Sequence, residues 1–123
     1  MDNTFKVFVY GTLKQGGRFD MSDKAVSVKK GTLMGHCLWQ GRFPFITVEH
    51  KDDTVYGEVH EYNIKHLDTL DRIEGYPNLY NRKEVEVSVG SGWMVKAVVY
   101  FTEDEWVTKG ATLIEDGNFK IGG

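Results

Sequence analysis

One acid stands where acids are rarely found, in the run Leu67-Asp68-Thr69-Leu70-Asp71-Arg72-Ile73-Glu74-Gly75-Tyr76-Pro77. Asn63 is a good N-cap, Ile64, Leu67, Leu70 and Ile73 recur every third residue, and Gly75 with Pro77 supplies a stop, so the pattern predicts a helix from about Ile64 to Glu74. At about 100° per residue, Glu74 falls between Leu67 and Leu70, in the middle of the apolar arc. Its carboxyl is therefore expected to point toward the core or a pocket. Desolvation there raises a Glu above its free pKa of about 4.3, which makes it a candidate proton carrier. The competing arrangement is a side chain that curls past the helix end into solvent, or pairs with a Lys or Arg.

A second candidate follows the first strand. Phe5-Lys6-Val7-Phe8-Val9-Tyr10 is apolar on nearly both faces of an extended chain, the mark of a central strand. It ends at Gly11, and Thr12-Leu13-Lys14-Gln15-Gly16-Gly17 reads as a glycine-punctuated loop. Gly11 lets backbone N–H groups approach a ligand with no side chain between. The same residues also suit a plain strand-to-loop turn.

Other reactive side chains form no known constellation. His36, His50, His60 and His66 have neither HExxH nor zinc-finger spacing, so no metal is expected. Glu58 and His60 share a strand face and could hold a cation, although a hydrogen-bonded or exposed pair is the commoner outcome. Ser22, Ser27, Ser88 and Ser91 lie in no nucleophile-elbow pattern. Cys37 and its neighbour His36 would point to opposite faces of a strand, which leaves a buried thiol as the expected state of the lone cysteine.

The elements that must position these groups can be read in outline. The 123 residues fit one domain, 1–123, with ordinary fractions of hydrophobic (41%) and charged (27%) residues. A net charge of −3 with interspersed signs offers no field for phosphates, so nucleic acid is not an expected partner. There is no long apolar run, hence no expected membrane partner, and Met1-Asp2-Asn3-Thr4 lacks the basic opening of a signal peptide. With a single cysteine this gives a reducing, cytoplasmic location as the expectation.

From Ala25 to Trp39, β-branched residues broken by Gly31 and Gly35 predict bent or bulged strands. Gly41-Arg42-Phe43-Pro44-Phe45 reads as a turn into Ile46-Thr47-Val48-Glu49, and Lys51-Asp52-Asp53 as a charged turn before a strand from Thr54 to Tyr62. Glu84 to Val89 alternates and turns through Gly90-Ser91-Gly92 into Trp93 to Phe101, the clearest hairpin of the chain. Thr102-Glu103-Asp104-Glu105 has capping-box spacing, with Thr102 starting a helical turn through Trp106. The tail from Leu113 to Phe119 is expected to fold back over the body. Many strands and one principal helix predict an α+β domain on a mostly antiparallel, barrel-like sheet.

Tyr10-Gly11-Thr12-Leu13 at the end of the first strand, taken with Leu67 to Pro77 and the following Asn78-Leu79-Tyr80-Asn81-Arg82, resembles the gamma-glutamylcyclotransferase-like family. The closer likeness is to its short branch, the gamma-glutamylamine cyclotransferase and AIG2-like proteins. It spans almost the whole chain: Gly41-Arg42-Phe43-Pro44 is similar to a Gly-x-aromatic-Pro turn of the family, and Val55-Tyr56-Gly57-Glu58-Val59 to its central strand. Asp116-Gly117-Asn118-Phe119 is loosely similar to its closing Gly-Asp-Trp segment, with Asn118 in place of the acid and Phe119 in place of the Trp.

The resemblance implies a small twisted β-barrel flanked by short helices, and a reaction in which the α-amino group of a γ-glutamyl compound attacks its own γ-carbonyl, releasing 5-oxoproline and an amine or amino acid. Glu74 matches the catalytic acid. Backbone N–H groups of Gly11, Thr12 and Leu13 would hold the γ-glutamyl moiety and its developing oxyanion. Tyr10 and Tyr80 match pocket positions whose hydroxyls could bond the substrate or the acid, while a core aromatic with its hydroxyl outward is the alternative for each. No cofactor is implied, because ring closure is already intramolecular. The implied partner is a small γ-glutamyl substrate, and neither the leaving amine nor the oligomeric state is readable. A non-catalytic ligand-binding module on the same fold, and an interaction protein using its strand edges, are the competing functions.

Overall fold

The computed structural model describes residues 3–48, 53–90 and 92–121. Met1-Asp2, the turn at Lys51-Asp52, and His50 and Ser91 lie outside them. Eight strands and two short α-helices follow in order: β1 (Thr4–Val9), β2 (Ser27–Met34), β3 (His36–Gln40), β4 (Pro44–Val48), β5 (Thr54–Asn63), α1 (Leu67–Glu74), β6 (Asn81–Val89), β7 (Trp93–Phe101), α2 (Glu105–Thr108) and β8 (Thr112–Ile114).

Five strands close a barrel in the order β1-β5-β2-β6-β7, and β4-β3-β8 form a separate small sheet. The barrel is antiparallel except at its seam, where β7 runs parallel to β1 with Val7 opposite Val98. β1 is thus central, as its two apolar faces require. Phe8 and Tyr10 join the barrel interior with Leu33, Val55, Val59, Val87 and Val99. Val7 and Val9 face outward to a second core under the helices, with Leu13, Leu70, Tyr80, Tyr100 and Val107.

Two glycines let the barrel pinch. Gly31 of β2 lies opposite Gly57 of β5. A Cβ on Gly57 would run into the carbonyl oxygen of Val9 and the ring of Phe8, and one on Gly31 would come within 2.8 Å of Val87 Cγ1. Those are the close approaches that glycine alone permits.

The predicted helix from Ile64 to Glu74 is present as a 3-10 turn over Ile64–His66 running into α1. Asn63 caps it by accepting from the Lys65 amide at 3.0 Å. Ile64 itself is exposed, so the buried face begins further on, with Leu70 completely covered. Two other expectations are corrected. Thr102 does not cap α2: Asp104 does, its carboxylate accepting from Trp106 N–H at 2.9 Å. The Thr102 hydroxyl instead donates to the Leu79 carbonyl (2.7 Å) and accepts from the Asp104 amide (3.0 Å). Cys37 is half-buried rather than buried, its thiol donating to Asp53 at 3.2 Å. The tail folds back as expected, but it also contributes β8, paired with β3.

Candidate active site

Glu74 is the last residue of α1. Gly75 ends the helix in the left-handed conformation (φ 67°), its N–H bonding the Arg72 carbonyl at 3.2 Å while Tyr76 N–H bonds that of Asp71 at 2.8 Å. A side chain would be strained at that φ, so glycine supplies the stop. The helix therefore terminates with Glu74 directed into a cavity of about 150 Å³, lined among others by Tyr10, Gly11, Thr12, Leu13, Tyr80 and Tyr100. All six site residues expected from the sequence, namely Glu74, Tyr10, Gly11, Thr12, Leu13 and Tyr80, line this one cavity. Its walls are otherwise mainly apolar, and burial pushes the Glu74 carboxyl up to about 7.

The acid one turn earlier has a different environment. Asp71 takes a two-pronged bond from Arg82 (3.0 and 3.2 Å) and a 2.6 Å bond from the Tyr100 hydroxyl. The nearby guanidinium is thus paired with Asp71, and its carbon lies 4.2 Å from the Tyr76 ring centroid. Two carboxyls on one short helix are in this way divided into one that is ion-paired and one that is desolvated, the arrangement that separates acid–base roles.

Gly11, which lines the same cavity, lies against Pro44. A Cβ there would come within 3.1 Å of the Pro44 ring. The loop closes on itself, with Lys14 N–H bonding the Gly11 carbonyl at 3.0 Å and Phe19 N–H bonding that of Thr12 at 2.9 Å. Among the described residues the amides of Gly11, Thr12 and Leu13 donate to no protein acceptor. Backbone donors in a covered position are nearly always paired, which makes these three amides, on residues that line the cavity, candidates for a ligand's oxygens.

The loop is held from outside by a buried cation. Lys14, 7% exposed, donates to the Asn118 side chain (3.1 Å) and the Phe119 carbonyl (2.7 Å), and burial lowers its pKa. Gln15 N–H bonds Glu58 at 2.9 Å, and Glu58 is in turn fixed by His60 at 2.8 Å. The Glu58–His60 pair is thus the hydrogen-bonded one, with His60 bonded also to the Tyr62 hydroxyl at 2.8 Å. The tail is locked alongside, Tyr56 N–H bonding the Gly117 carbonyl at 2.8 Å.

Both expected tyrosines are core residues as well as wall residues. The Tyr10 hydroxyl donates to the Tyr100 carbonyl (2.8 Å) and that of Tyr80 to the Pro44 carbonyl (2.7 Å). Their hydrogens are therefore engaged within the fold, and what each phenol offers a ligand is lone pairs. Burial raises the pKa of both, and the Glu74 carboxylate adds to the shift. Sequence reasoning missed Tyr100, Phe19, Phe43 and Leu79 as wall residues. A signal for Tyr100 existed: counting outward from the Gly90 to Gly92 turn pairs it with Arg82 across the hairpin.

Comparison with known proteins gives the family of the chain. The family model described as gamma-glutamyl cyclotransferase, AIG2-like matches residues 7–121. A Methanocaldococcus jannaschii protein provisionally named a gamma-glutamylcyclotransferase is 30% identical over 117 residues, covering 93% of this chain and 94% of that protein. The gamma-glutamylaminecyclotransferase of Rattus norvegicus is 32% identical over 124 residues, covering 82% of each. A crystal structure of an AIG2-like protein from Mus musculus superposes with a TM-score of 0.74 at 25% identity, over 98% of this chain and 91% of that one. The chain belongs to the gamma-glutamyl cyclotransferase, AIG2-like family, and is an enzyme of the cyclotransferase kind.

Proposed function

We propose that the protein converts a small γ-glutamyl compound into 5-oxoproline and a free amine by intramolecular aminolysis, with Glu74 as the proton carrier. The observation that carries the reading is the shared cavity: a desolvated carboxyl on one wall and the open amides of Gly11, Thr12 and Leu13 on another. Glu74 as carboxylate takes a proton from the substrate's α-ammonium group. The freed nitrogen attacks the γ-carbonyl carbon, and the new C–N bond pushes the carbonyl electrons onto oxygen, where the amides meet the charge. Glu74 hands that proton to the departing nitrogen and takes the surplus proton from the ring nitrogen, the carbonyl re-forms as the old C–N bond breaks, and Glu74 gives the second proton to the released amine, ending as the carboxylate it began as. Two protons in all pass from the α-nitrogen to the leaving amine, and one carboxyl with a pKa near neutrality suits both halves of the traffic. Holding the substrate folded supplies the remainder of the acceleration.

The test is release of 5-oxoproline from a panel of γ-glutamyl amines, γ-glutamyl amino acids and glutathione, in the parent and in Glu74→Gln. The parent turns over at least one of them, and the variant loses roughly 10²- to 10⁴-fold in kcat with its circular dichroism unchanged. A variant as fast as the parent would remove Glu74 from the mechanism. Saturable binding with no product from any compound would leave a binding module in place of an enzyme.

A further inference from the structure

A cavity of about 150 Å³ is the size that admits one benzene molecule. A glutamyl group closing into a five-membered ring is of that size, and a longer departing amine would extend through the mouth. Two phenylalanines from separate segments, Phe19 and Phe43, line the cavity while each remains 41% exposed. Single exposed apolar side chains are ordinary, but two lining one opening, with Trp106 (54% exposed) against Phe43, make a patch.

Both rings are held in place. Phe19 N–H is bonded to the Thr12 carbonyl at 2.9 Å, and the Arg18 guanidinium lies 5.4 Å from the Phe19 ring centroid. Phe43 is fixed through α2. Gly41 packs so closely that a Cβ would run into the Val107 carbonyl oxygen, and Arg42 N–H donates to that carbonyl at 2.9 Å. Arg42 Nε reaches the Trp106 carbonyl at 3.2 Å, its guanidinium covers the Trp106 ring at 4.3 Å, and that ring is 5.7 Å from Phe43.

We infer that Phe19 and Phe43 form the leaving-group subsite and select γ-glutamyl substrates whose departing amine is an apolar alkyl or aryl amine without a second positive charge. The inference rests on the cyclotransfer reading above. Aromatic rings can also bind cations, but here guanidinium groups already lie on Phe19 and on the Trp106 that backs Phe43. A further cation would meet like charge. Of the nearby acids, Asp20 accepts from the Gly16 and Ser22 amides, and Glu105 shares its surface depression with Arg42 and Lys109.

Three substrates separate the possibilities: the γ-glutamyl derivatives of methylamine, of n-pentylamine and of 1,5-diaminopentane acylated at one end, each followed by 5-oxoproline release. The pentyl compound is expected to exceed the aminopentyl compound at least tenfold in kcat/KM, mainly through KM. Phe19→Ala and Phe43→Ala should each lower the pentyl-to-methyl ratio of kcat/KM at least fivefold, and Phe43→Glu should narrow or reverse the preference for pentyl over aminopentyl. Equal rates for pentyl and aminopentyl in the parent, or a pentyl-to-methyl ratio unmoved in both alanine variants, overturns the subsite. Turnover of the methyl compound without those preferences leaves the cyclotransfer reading standing and sinks this one alone. Absence of 5-oxoproline from all three, and from the wider panel, sinks both.

Discussion

Burial sets the chemistry of Glu74. Its carboxyl is largely desolvated, and nothing but burial shifts its pKa, to about 7 from the ordinary 4.5. The folded chain therefore holds that proton more tightly than the unfolded chain. Between about pH 4.5 and 7 the folded state binds more protons, so stability is greatest below the window and falls as pH rises through it. Glu74→Gln should accordingly be more stable than the parent at pH 8, by on the order of 2 kcal/mol, with the gap closing toward pH 5. Thermal melts at the two pH values measure it; a variant less stable at pH 8 would mean that the carboxylate is welcomed by its surroundings. In catalysis the same titration appears with opposite sign. kcat/KM should rise with pH, half-maximal near 7, because the carboxylate is the form that accepts the α-ammonium proton. The helical period pointed Glu74 inward but left open a side chain curled past the helix end, and its burial decides between the two. The engagement of the Tyr10 and Tyr80 hydroxyls was not, because their acceptors are carbonyls 90 and 36 residues away.

At the scale of elements, the glycine loop owes its shape to partners remote in sequence. Lys14 is tied to residues 104 and 105 positions further on, so no local pattern could announce it. Lys14→Met removes both bonds to the tail while keeping most of the buried stem. It should lower kcat/KM about tenfold, and Asn118→Ala, which removes one bond, should cost less. If the pair acts through one contact, the double variant will be no worse than Lys14→Met, which a double-mutant cycle reads directly. An unchanged kcat/KM in Lys14→Met would show that the loop keeps its shape without the tail. α2 shows a different limit of local reading. Thr102 had the right spacing for a cap, yet its hydroxyl is engaged by the Leu79 carbonyl and the Asp104 amide, and Asp104 takes the capping place. β8, three residues long, carries too few positions for alternation to be seen.

The whole molecule is a barrel whose closure depends on what glycine omits. At Gly57 a methyl group would strike the backbone of β1, whereas at Gly31 it would meet the side-chain carbons of Val87 and Val59, which have some freedom to move. Gly57→Ala should therefore be the more damaging, costing over about 3 kcal/mol, with Gly31→Ala at roughly 1–3 kcal/mol. Urea unfolding of the two variants checks the order, and the reverse order would show that the seam between β1 and β5 is slack. Strand alternation and turn residues made the barrel-like class readable. The parallel pairing of β1 with β7 was not, since a hydrophobic run on both faces says only that a strand has two neighbours.

That seam has a bearing on how the chain comes into being. β1 is made well before β7, so one of its two edges stays bare until Trp93–Phe101 has followed. A nascent chain halted short of Tyr100 already carries Glu74, but lacks the carbonyl that receives the Tyr10 hydroxyl and the phenol that bonds Asp71. The cavity that holds Glu74 is therefore complete only once β7 is in place, and a fragment released before it would expose the bare edge of β1 in place of a formed pocket.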